Sequence, residues 1–241
     1  MEIKPTISVG EIVRLNFNTA QLFDENNIDF CCGGKVLLSE ACEKSDVDIN
    51  KLIPKIEALL QLSDPDSKYI EGLSMVELSE YIVKSHHSFV SEIVPFIQQY
   101  LQKLCEVHGE SHQELFETKE LFDAMAKNLA SHIENEENVL FPFIAKLEKY
   151  KNEGLPKDAE LENGSKLIHE YDLEHQAEGE RLEKIAKLTN SYTTPADGCS
   201  TYNATMQAMK KFEQDLHRHI HLESNVLFKK AIEAEKEIPT R

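Results

Sequence analysis

Residues 132–141 read HIENEENVLF and residues 219–228 read HIHLESNVLF, so seven of ten positions agree without a gap, among them a histidine and a glutamate four residues apart. In each copy the pair continues the apolar line of a helical pattern. That line is Met125, Leu129, His132, Glu136, Val139, Leu140 and Phe143 in the first, and Phe212, Leu216, His219, Glu223, Val226 and Leu227 in the second. Helical spacing therefore turns both pairs inward. A buried carboxylate without compensating charge is costly or takes up a proton, so two of them in one core call for a cation. The i, i+4 spacing sets imidazole and carboxylate side by side on one helix face, where both can aim at one metal centre.

The rest of the chain is read as helix too. Glycine and proline are sparse, with 9 and 8 in 241 residues, and the long segments space their apolar residues by three and four. Ile12, Val13, Leu15, Phe17 and Leu22 predict a first helix that stops near Asn26-Asn27, where asparagine tolerates left-handed geometry. Helical stretches are expected over Val36–Cys42 and Ile49–Leu60, the second with Asp46 and Asp48 as candidate caps. Ser63–Lys68, reading SDPDSK, has a linker composition. Four long patterns follow, Met75–Glu106, Glu114–Tyr150, Gly164–Thr189 and Thr201–Ala234, with a kink expected at Pro95. The fold class predicted is all-α: an N-terminal helical domain over 1–62, a linker over 63–74 and an antiparallel four-helix bundle over 75–236.

The third long helix adds His175 to the line Ile168, Tyr171, His175, Gly179 and Leu182, with glycine where bulk would crowd a centre. A single inward histidine is more often a hydrogen-bonded core residue; the two repeated pairs are what lift His175 to a ligand. The first long helix carries His86-His87, and the pattern leaves the choice open, since His86 lies nearer the middle of the apolar arc and His87 at its edge. Four imidazoles and two carboxylates are too many for tetrahedral zinc and suit two octahedral or five-coordinate ions with bridging glutamates, iron first and manganese second. His108, His112, His169, His217 and His221 fall in loops or on polar faces and read as solvated.

With 43 acidic and 26 basic side chains the formal net charge is -17, which would repel nucleic acid and an anionic membrane surface. There is no secretory leader pattern and no apolar run of membrane-spanning length, so a cytoplasmic protein is expected. Five cysteines do not form a secreted disulfide scaffold. Cys42, Cys105 and Cys199 read as incidental. Cys31 and Cys32, in the turn Asp29-Phe30-Cys31-Cys32-Gly33-Gly34, are different: glycines allow close backbone approach just before a helix start, where a thiolate would be stabilised by unpaired N–H groups. The functional reading is a redox-active or metal-handling pair, the bland one two small side chains under a tight turn.

Taken in order, DFCCGG in a small helical block, the HH pair, HIENEENVLF, EHQAEG at 174–179 and HIHLESNVLF resemble the repair-of-iron-centres family over nearly the whole length. The resemblance implies a cysteine-bearing domain joined to a hemerythrin-like bundle, in a cytoplasmic, homodimeric stress protein that restores iron-sulfur clusters damaged by nitric oxide or peroxide. Carried onto this chain, it implies two iron ions held by His87, His132, Glu136, His175, His219 and Glu223, with both glutamates bridging. Its register, counted back from Pro95, selects His87 over His86. It also implies acidic residues that guide iron or protons, which Glu174 fits, whereas the turn before His132 offers Asn128 instead of a carboxylate. The function expected is iron donation to damaged iron-sulfur proteins, helped by Cys31 and Cys32. The same ligands would serve a nitric oxide reductase forming nitrous oxide, or a hemerythrin-like carrier or sensor of oxygen or nitric oxide; four rather than five histidines and the cysteine domain argue against the carrier.

Overall fold

The computed structural model describes residues 2–158, 161 and 164–239. Among them every named element is helical, and the one extended pairing is an isolated antiparallel bridge between Ser8 and Leu37. No helix among the described residues is long and apolar enough to cross a membrane. The elements are α1 (Val9–Leu15), α2 (Asn18–Glu25), α3 (Leu38–Lys44), α4 (Ile49–Leu60), α5 (Pro65–Gly72), α6 (Met75–Ile82), π1 (Val83–His87), α7 (Ser88–His108), α8 (Glu114–Asn135), π2 (Glu136–Leu140), α9 (Phe141–Glu153), α10 (Gly164–Leu188), α11 (Ser200–His221), π3 (Leu222–Leu227) and α12 (Phe228–Glu237).

Local chemistry explains most boundaries. The first helix expected from the sequence is two, because Asn16 is extended (φ -162°, ψ 111°) and its side chain reaches away to the carbonyls of Leu59 and Leu62, at 3.2 and 3.0 Å. Asn27 adopts the left-handed conformation expected there, with φ 52°. Asp48 caps α4 by accepting the Asn50 N–H at 3.0 Å; Asp46, the other candidate, is left-handed in the preceding turn instead. The stretch read as linker contains the start of α5, because Asp64 accepts the Ser67 N–H at 3.1 Å and Pro65 fits the first helical turn. Pro95 lies inside α7, which runs on to His108.

The chain forms two compact units. The first comprises Met1–Ser79, Phe143–Asp172 and His217–Arg241. Its core includes Val9, Ile12, Phe23, Leu38, Leu52 and Ile56, all essentially inaccessible to water. Lys229 bonds Glu11 at 3.1 Å, and Lys230 donates to the carbonyls of Glu71 and Leu73 at 2.9 and 2.7 Å, tying α12 to the N-terminal helices.

The second unit, Glu80–Pro142 and Leu173–Leu216, is a four-helix arrangement of π1-α7, α8-π2 and the adjoining parts of α10 and α11. A five-residue turn reverses the chain between α7 and α8, as a bundle with short links requires. Leu101, Phe122, Met125, Ile185, Met209 and Phe212 fill the interior, with Phe122 and Phe212 edge to face at 5.4 Å between centroids. Gln98–Asp123, Asn128–Glu178 and His86–Asp215 link neighbouring helices at 2.9, 3.0 and 3.1 Å.

Candidate metal centre

All six sequence-derived ligands are buried: Glu136 and Glu223 have no exposure at all, and the least buried, His132, retains 8%. Three lie on or beside π-helical turns: His87 ends π1, Glu136 opens π2 and Glu223 is the second residue of π3. Such turns add a residue to the helical repeat and re-aim the side chains that follow, and they recur at functional sites. Val139, placed on the apolar line by α-helical counting, is instead 50% exposed after the π2 insertion, whereas its counterpart Val226 is buried. The two histidines left open by the pattern, His86 and His87, both fall within π1. Both histidines are buried, but His87 Nε2 stands 3.4 Å from Glu136 Oε2, while His86 Nδ1 pairs with Asp215 at 3.1 Å.

In the second unit Glu136 is the focus. His132 Nε2 lies 3.1 Å from its Oε1, His175 Nε2 4.0 Å from the same oxygen, and the two Nε2 atoms are 3.1 Å apart. Donor atoms of His132, Glu136 and His175 fall within 4.8 Å of one another, close enough for one ion. The far side of each ring explains its orientation. His132 Nδ1 pairs with Glu174 Oε2 at 2.6 Å and His87 Nδ1 with Glu137 Oε1 at 2.8 Å, while the His87 ring stacks on Phe141 at 14°. A carboxylate on Nδ1 makes that nitrogen the donor and leaves the Nε2 lone pair as the inward face. The inward lone pairs of His87 and His132 thus face the Glu136 carboxylate, both of whose oxygens are buried and accept no well-aligned hydrogen bond among the described residues. Acceptors so placed repel unless positive charge lies among them, and this donor set fits a metal ion. Glu174 was legible in the sequence; Glu137, equally placed, was not singled out, because it lies on the exposed side of the repeat.

In the first unit His219 and Glu223 meet at 2.9 Å between Nε2 and Oε1, the i, i+4 pair the repeat predicts. His221, read as solvated, is buried against Phe17 and Phe30, with ring centroids 6.0 Å away in each case, and burial lowers its pKa to about 3. It sits on the side of the helix that faces the N-terminal segment, which periodicity within one helix does not reveal. His169 is exposed and His108, His112 and His217 are intermediate.

The Cys31-Cys32 turn departs from expectation. Cys31 is buried, with its sulfur 3.8 Å from that of Cys32 and 3.3 Å from Asp29 Oδ1, and no disulfide joins them. Its hydrogen bond with Cys32, burial and the Asp29 charge hold the thiol well above its ordinary value, so it is not a stabilised thiolate. Two N–H groups of the turn are taken by Asp29, which accepts from Cys31 at 2.9 Å and Gly33 at 2.8 Å, and the Cys32 N–H that still favours the Cys31 thiolate is outweighed. Donor atoms of Asp29, Cys31 and Cys32 nevertheless lie within 4.8 Å of one another. Cys199, read as incidental, is exposed and stands 3.3 Å from His108 Nε2.

Comparison with known proteins agrees with this geometry. Residues 78–231, which contain all six buried donors, match the hemerythrin HHE cation binding domain, and residues 6–60 match a domain of unknown function, DUF542. The chain is 31% identical to the iron-sulfur cluster repair protein YtfE of Yersinia pseudotuberculosis, covering 95% of this chain and 97% of that one. It is 29% identical to the iron-sulfur cluster repair protein ScdA of Staphylococcus epidermidis and of Staphylococcus haemolyticus, in each case over 92% of this chain and 96% of the relative. Matched in both parts and over nearly its full length, the chain belongs to the hemerythrin-like family of iron-sulfur cluster repair proteins that includes ScdA and YtfE.

Proposed function

We propose that the chain holds two ferrous ions at His87, His132, Glu136, His175, His219 and Glu223, with both glutamates bridging, and supplies iron to iron-sulfur proteins damaged by oxidative or nitrosative stress. The observation that carries this reading is the convergence of imidazole Nε2 atoms on the fully buried Glu136 carboxylate, with Glu137 and Glu174 behind two of the rings. Ferrous iron would be the exchangeable cargo of such a site. Glu137 and Glu174 fix the tautomers of His87 and His132 and keep their lone pairs turned inward. Glu174 is itself 58% exposed, so it links a ligand ring to solvent and gives a cation or proton a carboxylate at the entrance. The reading assigns 1–62 to a cysteine-bearing domain, 63–74 to a linker and 75–236 to the iron domain; the two family matches, 6–60 and 78–231, fall within the outer segments. Thiols rather than disulfides at all five cysteines suit the cytoplasm. A homodimer is carried from the resemblance alone.

The test is anaerobic reconstitution with Fe(II), metal analysis and Mössbauer spectroscopy, followed by repair of a nitric-oxide-damaged iron-sulfur dehydratase. His132→Ala should lose the coupled pair of irons and repair together, whereas Cys31→Ser should keep the iron and lose repair. Repair by an iron-free variant would exclude donation, and zinc or a single iron in the parent chain would exclude the site.

A further inference from the structure

The asparagine shared by the two repeats has two different fates. Asn138, in the first copy, is exposed and donates to the Glu134 carbonyl one turn back at 2.8 Å. Asn225, in the second, is completely buried and leaves its own helix. Its Nδ2 donates to the carbonyl of Cys31 at 3.1 Å and approaches that of Phe30 at 3.4 Å, bridging 194 residues of chain. Backbone closes on the other side of the amide. A methyl group at Gly10 would lie 2.4 Å from Asn225 Oδ1 and one at Gly34 2.6 Å from it, so neither position has room for a side chain. Gly10 N–H in turn donates to the Gly34 carbonyl at 2.8 Å, and Gly34 N–H to that of Cys31 at 3.2 Å. Asn225 is thus clamped between α1 and the cysteine turn.

Asn225 and Glu223 belong to the same π3 turn. Residues two apart on a helix point to roughly opposite sides. Glu223 accordingly meets His219, whereas Asn225 meets the cysteine turn. A movement of the Cys31 carbonyl cannot be absorbed by a mobile side chain, because the amide is closely packed against backbone; it is passed to π3. Helical turns with this wider repeat are rare interruptions of the α-helical ladder that recur at functional sites.

We propose that Asn225 is a positioning residue through which modification or metal loading of the Cys31-Cys32 pair alters the Glu223 half of the iron centre. The proposal rests on the di-iron reading above and adds a route between its two chemical parts. Cys32 is the accessible thiol of the pair, and with Cys199→Ala removing the exposed thiol elsewhere it can be alkylated by iodoacetamide. The sulfur forms a bond to the acetamide carbon, and iodide and the thiol proton leave.

The experiment compares Mössbauer and ligand-field spectra of the Fe(II)-loaded Cys199→Ala protein before and after alkylation, with and without Asn225→Ala. Coupling predicts that alkylation shifts the bands when Asn225 is present, and that Asn225→Ala keeps its iron stoichiometry but loses the shift. Equal shifts in both proteins, or none in either, would overturn it. Coupling is reciprocal, so Fe(II) should slow hydrogen exchange of the Gly33 and Gly34 amides in the unsubstituted chain by about fivefold or more. Unchanged exchange with iron bound would overturn the proposal even if Asn225→Ala does not fold. Absence of iron from the parent protein would remove the iron reading and the coupling with it, whereas iron present with unmoved bands would remove the coupling alone.

Discussion

Glu136→Gln separates a metal ligand from a member of a structural ion-pair network. The substitution keeps the shape and removes the charge at a side chain with no exposure, whose oxygens accept no well-aligned hydrogen bond among the described residues. Were Glu136 a structural partner of the imidazoles around it, breaking the buried pairing would cost about 3–5 kcal/mol. At roughly 2–4 °C per kcal/mol for a chain of this size, that lowers the iron-free Tm by about 6–20 °C. If its carboxylate is there for a cation, the iron-free protein is relieved of a buried charge, and its Tm should stay within about 4 °C of the parent or rise. The loaded state behaves oppositely. Free Fe(II) at about 100 times Kd stabilises by about 2.7 kcal/mol per site, or about 5–11 °C, and Glu136→Gln should forfeit that rise. Anaerobic calorimetry of both proteins with and without Fe(II), alongside metal analysis, measures each quantity. An iron-free variant that melts more than about 6 °C below the parent, or one that still binds two irons, would refute the assignment.

Two further outcomes concern other charged groups. The His108 hydrogen bond, then the backbone N–H of Tyr202, lowers the Cys199 pKa to about 7. Its alkylation rate, followed by peptide mass spectrometry, should be half-maximal near that pH and shift toward about 8.5 in His108→Ala; an unmoved midpoint would show that the imidazole is irrelevant. The Arg14 hydrogen bond, then Lys229, holds Glu11 at about 2 against an ordinary value of 4.5, overcoming its partial burial. A depressed carboxylate contributes stability that is complete above about pH 4.5 and vanishes as pH falls through about 2. Circular-dichroism melts should therefore show the gap between parent and Glu11→Gln closing across that interval, and a gap independent of pH would contradict the pairing.

The candidate site was unusually legible because its residues violate the pattern around them: charged and polar side chains stand on lines otherwise made of Leu, Met, Phe and Val. His132, Glu136, His175, His219 and Glu223 could be named from that alone. His87 could not, since it lies within π1, where the repeat is wider than α-helical counting assumes. The helical class was equally plain, while the break at Asn16 depends on carbonyls of Leu59 and Leu62 more than forty residues away. Likewise His221, Glu137 and Asn225 take their roles from other segments, and no periodicity within one helix records what lies across from it. The protonation of the Cys31 thiol was hidden for a related reason: the sequence shows Asp29 two residues before Cys31 but not that it accepts the Cys31 and Gly33 N–H groups of the turn.

The π turns also make the site depend on counting as well as on chemistry. Loss of a single residue from Val83–His87, Glu136–Leu140 or Leu222–Leu227 would let the helix return to its commoner, tighter register, turning everything downstream by about 100°. Every candidate histidine and glutamate could survive such a deletion, and the helix would gain in regularity, while the residues beyond it turned away from their present partners. A descendant of this chain could therefore lose the proposed centre while keeping every candidate ligand in its sequence, and would be the more ordinary bundle for it.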